Sequence, residues 1–396
     1  MNRMVGTVSR GLRAPIFKEG DNVPEIVLDT IIKASKAEGF EIRNNDIVSI
    51  TESVIARAQG NYATIEQIAT DINNKFKSEE VGIVFPILSR NRFAVSLQGI
   101  AKGSKKVIIM LKYPSDEVGN ELIDIKSLEK HNINPWIDVV TENQFREMFG
   151  SYKHPYTGVD YIEYYRNIVE SEGKECEIIL GNNAEDILKY TKNVLVSDVH
   201  TRKETKETVL KAGGKKVYGL DDILSEPIDG SGYNEEYGLL GSNTATKEKL
   251  KLFPRACQPV VEEIQKKVLE STGKKIEVMV YGDGAFKDPV AKIWELADPV
   301  VSPGYTEGLK GTPSETKLKY LADNNFKHLK GEELKQAISK FIKENEQKSL
   351  DDDESLGTTP RRYIDLLGSL SDLTSGSGDK GTPIVYIQGY FDNFTA

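Results

Sequence analysis

The chain is 396 residues long, enough for two or three domains and a sizeable core without metal or disulfide staples. Apolar residues make up 38% and charged residues 29%, an ordinary soluble composition. The 52 Lys and Arg against 61 Asp and Glu leave a charge of −9, which argues against a general nucleic-acid binder but leaves room for a pocket that is locally basic.

In chain order, GDNVPEIVLDTIIKASKAEGF places Ile26, Val27, Thr30, Ile31 and Ala34 at helical spacing, with Asp21 as the cap. NDIVSITES predicts a strand over 46–51, and ATIEQIATDINNKF a second amphipathic helix. VGIVFPIL and KKVIIMLKYP are compact apolar runs that read as buried strands. From Pro114 to about Gly232 the strand-like runs PWIDVVT, ECEIILG, NVLVSDV and KKVYGLDDI alternate with helical patterns, predicting a small parallel α/β unit inserted into the main body. The tyrosines of YKHPYTGVDYIEYYR suit core packing, with a ring-stacking substrate surface as the other reading. Beyond Tyr237, GLLGSNTATKEK leads into a long helix with Pro254 and Pro259 near its start, and IEVMVYGDGAF is a strand running into a Gly/Asp loop. GEELKQAISKFIKENEQ is a charged helix and 351–354 an acidic, solvated loop. PRRYIDLLGSLSDLTS is a last helix, followed by GSGDKGTP and the strand PIVYIQGYF.

Two cysteines, Cys176 and Cys257, are too few for a disulfide framework and read as buried thiols. His131, His154, His200 and His328 are scattered, so metal chemistry would rest on carboxylates and hard cations. MNRMVGTVSRGLRAP has no apolar signal core, and no stretch approaches the roughly 20 apolar residues that span a bilayer. A cytoplasmic location without membrane contact is expected.

GSGDKG satisfies a GxGxxG spacing through Gly376, Gly378 and Gly381, but it follows a helix and enters a strand, the reverse of a dinucleotide-binding turn. It is either a connector or an anion-holding loop, with Gly378 and Lys380 as phosphate contacts. In YGDGAFKDP a strand over 276–280 delivers Asp283 between Gly282 and Gly284, with Lys287 and Asp288 beyond. Flanking glycines let a carboxylate and bare backbone approach a phosphate or metal, unless Asp283 merely caps a tight turn. Ser242, Asn243 and Thr244 can cap a helix or hold phosphate oxygens. Arg361 and Arg362, and Arg90 and Arg92 after a predicted strand, can pair with phosphate or carboxylate, or simply face solvent.

At these segments the chain resembles the coenzyme F420-0:L-glutamate ligase (gamma-glutamyl ligase) family. IFKEGDNVPEIV keeps the family's Lys, Gly and Asp at Lys18, Gly20 and Asp21; in NNDIVSITESVIARAQGNY, Arg57, Gln59 and Asn61 replace its Lys, Glu and Arg. GLLGSN and YGDGAF match at Ser242, Asn243 and Asp283, while Leu240 stands where the family has its first metal-binding Asp. The carboxyl end follows the family's last helix and strand, with Gln388 in place of an Arg.

The resemblance implies an α/β fold with α+β elements, an F420 ligase-like body (1–113 and 236–396) around the inserted parallel α/β subdomain (114–235), where substrate specificity is expected to lie. It implies a homodimer acting on small-molecule carboxylate and amino-acid substrates, with GTP or ATP and Mg²⁺ or Mn²⁺. A carboxylate would be activated as an acyl phosphate and attacked by an amino group. Expected metal ligands are Asp283, with Asp288 or Glu295 replacing the missing Asp. Lys287, Arg361 and Arg362 are the expected catalytic phosphate or carboxylate contacts. Ser242, Asn243, Thr244, Gly282, Gly284, Gly378 and Lys380 would hold the nucleotide, and Arg57, Arg90 and Arg92 the substrate. Two alternatives stand beside this reading: a non-catalytic nucleotide or metabolite binder, favoured by Leu240, and a ligase acting on a folate-type or other acceptor.

Overall fold

The computed structural model describes residues 4–154, 157–282, 298–344, 355, 361–376 and 378–393. In chain order its strands are β1 (Val8–Leu12), β2 (Ile47–Thr51), β3 (Tyr62–Thr64), β4 (Val81–Val84), β5 (Lys106–Leu111), β6 (Val140–Thr141) and β7 (Glu175–Leu180). They continue with β8 (Asn193–Val196), β9 (Lys216–Gly219), β10 (Asn243–Thr246), β11 (Lys249–Lys251), β12 (Glu277–Tyr281) and β13 (Ile384–Gln388). The fold is α/β, as the sequence predicts.

One sheet has the order β1-β13-β2-β12, with β2 and β12 parallel and the other pairs antiparallel. Strands β2, β12 and β13 are buried on both sides because both faces are covered. Val48, Ile50, Val278, Val280, Ile384 and Tyr386 pack with the helices Val23–Glu38 and Cys257–Thr272. The alternate residues Ile47, Met279, Tyr281, Val385 and Ile387 pack with the helix Tyr363–Ser375. The cap of the first helix is Asn22, whose side chain accepts from the Glu25 amide; Asp21 instead accepts from the Lys18 amide at 2.6 Å.

The second sheet runs β6-β7-β5-β4-β8-β9, parallel except for the short β6. Its parallel strands, numbered in chain order, lie 3-2-1-4-5, a doubly wound arrangement with its switch point between β4 and β8. Helices Ile65–Phe76, Phe93–Gly103 and Tyr161–Ser171 cover one face; Arg202–Lys211 covers the other. Residues 81–113 supply two of its strands. β4 and β5 are central strands here, hydrogen-bonded in parallel to β8 and β7. A small antiparallel sheet, β10-β11-β3, lies between the two larger ones in the chain.

PWIDVVT is a strand only at Val140–Thr141. Upstream, the Asn134 and Asp138 side chains take up backbone amides and hold a turn, leaving Trp136 and Ile137 exposed. Tyr161 and Tyr165 are buried in the core with Tyr164 packed against them, which is the packing reading of the tyrosine-rich stretch; Tyr156 lies outside the described residues.

Candidate functional site

Thr51 and Tyr281 are register partners at the carboxyl ends of the parallel strands β2 and β12. Ligands in open α/β sheets bind just beyond such ends, and a cavity of about 490 Å³ opens there. Three more segments complete its wall. Residues 14–17 follow β1, Asp372 and Ser375 end the helix Tyr363–Ser375, and Gly376, Gly378 and Gly381 belong to the loop entering β13. The glycine loop is tied down from both sides. The Ala14 amide donates to Gly381 O at 3.1 Å, the Thr51 amide donates to Pro383 O at 3.0 Å, and the Thr382 hydroxyl donates to Ser375 O at 2.9 Å. Gly376 and Gly381 have φ of 64° and 66°, the left-handed region that favours glycine.

The first residue after β2 is Glu52, which lines the cavity yet is only 6% exposed. Lys251 Nζ lies 3.0 and 3.3 Å from its two carboxylate oxygens. Burial pushes the Glu52 carboxyl up, Lys251 pulls it down, and Asp298 adds a further upward push. Asp298 accepts from Arg92 Nη1 at 2.8 Å. A Cβ at Gly282 would stand 2.4 Å from Asp298 Oδ2, so any larger residue there must displace that carboxylate. Burial also pushes the Tyr281 hydroxyl up to about 12, which keeps it protonated.

Of the residues singled out on sequence, Arg57, Gly282 and Gly378 line this cavity together. Lys380 folds over Gly376 beside it. The others are placed elsewhere. Arg361 pairs with Glu315 at 3.3 Å, and Arg362 grips Asp365 through two bonds of 2.8 and 2.9 Å, both arginines being exposed. Asn243 is laddered to Lys251 in the β10–β11 hairpin, and the Thr244 amide and hydroxyl both donate to Asn91 O at 2.8 Å. Ser242 is buried and lines a separate space of about 20 Å³ with Arg92 and Leu240. Arg90 is exposed at the loop after β4; its charge adds to burial in holding His154 below the usual imidazole range. Asp283, Gly284, Lys287, Asp288 and Glu295 lie outside the described residues.

Among the described residues, no three His, Cys, Asp or Glu side chains gather as a metal site. The two buried carboxylates nearest the strand ends, Glu52 and Asp298, already face Lys251 and Arg92. The described residues therefore do not by themselves make a divalent-cation site. Glu52, Lys251 and Asp298 were not singled out on sequence. Glu52 carried one signal, a carboxylate directly after an apolar strand; its partner is 199 residues away.

A doubly wound sheet, a second sheet covered on both faces and a cleft at parallel strand ends define an α/β protein, and in such folds ligands bind beyond those strand ends. The sequence matches the family F420-0:Gamma-glutamyl ligase over residues 11–389, and the chain belongs to that family, which places it in the ligase class. No curated protein matches it. Among the described residues, no helix is long and apolar enough to cross a membrane.

Proposed function

We propose that the cavity at the ends of β2 and β12 is the active site of a nucleotide-dependent gamma-glutamyl ligase. It activates a carboxylate as an acyl phosphate with GTP or ATP and joins it to an amino group. The observation that carries the reading is this cavity, lined by Arg57, Glu52 and the Gly376–Gly381 loop, in a chain of the gamma-glutamyl ligase family. Arg57 supplies positive charge for a carboxylate or phosphate, and the glycine loop offers bare backbone to phosphate oxygens. Mg²⁺ or Mn²⁺, with Asp283 and either Asp288 or Glu295 as ligands, belongs to the same proposal and would offset charge on the transferring phosphoryl group. The six-stranded sheet is tied through the Arg92–Asp298 pair to Gly282 on the cavity wall, which supports a part for it in substrate choice.

Thermal denaturation with GTP or ATP, each with and without Mg²⁺ or Mn²⁺, tests the reading. A ligand of the native state raises the melting temperature by mass action. A metal-dependent rise with one nucleotide, reduced in Arg57→Ala, is expected; no rise under any condition would overturn it. Leu240, buried in the core where the family has a metal-binding Asp, favours a second reading, a non-catalytic binder. Its signature is a rise that needs no metal. The homodimer is part of the proposal and is tested by light scattering in solution.

A further inference from the structure

An amino group carries a proton at neutral pH, and the ammonium has no lone pair with which to attack an acyl phosphate. The ligase reading, on which this inference rests, therefore needs a proton acceptor at the cavity. Glu52 and Asp372 are the described carboxylates that line it. Glu52 is the desolvated one, fixed at the end of β2 by a two-oxygen contact with Lys251. A buried ion pair is seldom the most stable filling of a core, since apolar residues of similar volume do as well or better. Its position on a cavity wall gives it a different use. We infer that Glu52 receives the ammonium of the amino substrate and takes its proton, with Lys251 as a positioning residue that holds the carboxylate.

The step balances as follows. One N–H proton passes to the Glu52 carboxylate, and the freed electron pair forms the C–N bond at the acyl carbon. The bond from that carbon to the phosphate oxygen breaks, phosphate leaves with the electron pair, and it takes the second N–H proton. The charged and titratable groups that act on Glu52 are Lys251 from β11, Arg92, Asp298, Cys257 and Tyr281, with Arg57 on the same cavity wall.

The test compares two nucleophiles in the full-length protein, L-glutamate and hydroxylamine, with F420-0 and folate monoglutamate as carboxylate probes and GTP or ATP with Mg²⁺. Hydroxylamine is uncharged at neutral pH and needs no proton acceptor. Glu52→Gln is expected to slow amide formation with L-glutamate by at least about 100-fold while hydroxamate formation stays within about threefold of wild type. The lost rate should recover about tenfold per pH unit as free amine accumulates, and Glu52→Asp should restore part of it. Because Glu52→Gln leaves Lys251 buried without its partner, Glu52→Gln/Lys251→Met is measured alongside and should show the same split. Equal loss of both products, or of neither, would overturn the assignment. No product of either kind from the wild type with any probe would instead remove the ligase reading, and this assignment with it.

Discussion

Arg92 and Asp298 form an ion pair of 2.8 Å with side chains only 14% and 3% exposed, and the pair joins the two large sheets. Arg92 leaves the switch-point loop after β4, while Asp298 packs against Gly282 at the end of β12. The carboxyl end of one sheet is thereby fixed against the carboxyl end of the other, beside the cavity. Removing one partner of a buried pair costs about 3–5 kcal/mol, because the other charge stays buried. Arg92→Met should therefore lower stability in urea by about 3 kcal/mol; a loss below about 1 kcal/mol would show that the pair does not bind the sheets together.

Gly282 is committed to the same contact. A Cβ there meets Asp298 Oδ2 at 2.4 Å, and the Asp298 carboxylate has little freedom to move because Arg92 holds it. Gly282→Ala should destabilise by about 1–3 kcal/mol, the usual cost of overpacking. In an Asp298→Ala background that cost should shrink by at least about 0.5 kcal/mol, the coupling expected of touching residues. Additive losses would contradict the geometry.

Asp116 makes the stability depend on pH. Its carboxylate accepts from the Leu88 and Val118 amides at 2.8 and 3.1 Å, and from the backbone and side-chain amides of Asn120, both at 2.8 Å. Burial nevertheless pushes the carboxyl up to about 6 from 3.8. Between those values the native state holds more protons than the unfolded chain, so this group's contribution is full below about pH 4 and lost as pH rises through about 6. The stability of the wild type minus that of Asp116→Asn should fall across that window. A difference independent of pH would rule the account out.

Cys176 and Cys257 are free and buried, and burial pushes both thiols up to about 12. The thiolate is the reactive form. Ellman's reagent at pH 8 should label neither in the native protein and both after unfolding. Rapid labelling of either without unfolding would contradict the burial.

Local pattern carried much of the fold. β2, β5, β7, β8, β12 and β13 all fall within apolar runs visible in the sequence, because strands covered on two faces are apolar throughout. VGIVFPIL yields only Val81–Val84, since Phe85 turns into the left-handed region with φ of 59°. What local pattern does not contain is pairing between distant segments. Nothing near β4 announces that it lies beside β8, more than 100 residues on, and so the sheet's true membership was hidden. The cavity divides the same way. Glycine-flanked turns pointed to Gly282 and Gly378, and a family motif to Arg57. Glu52–Lys251 and Arg92–Asp298 are long-range charge pairs that only the fold assembles. That Ser242, Asn243 and Thr244 do not line this cavity was not legible, because hydroxyl and amide side chains near glycine serve turns, hairpins and ligands alike.

The most direct test of the central claim is product analysis by mass spectrometry. The full chain is incubated with L-glutamate, GTP or ATP, Mg²⁺ or Mn²⁺, and either F420-0 or folate monoglutamate. The account predicts a carboxylate product heavier by one glutamyl residue, formed in step with nucleoside diphosphate and phosphate, and lost in Glu52→Gln at neutral pH. Nucleotide binding without any amide product from either carboxylate would contradict it and leave a binding protein in the ligase fold.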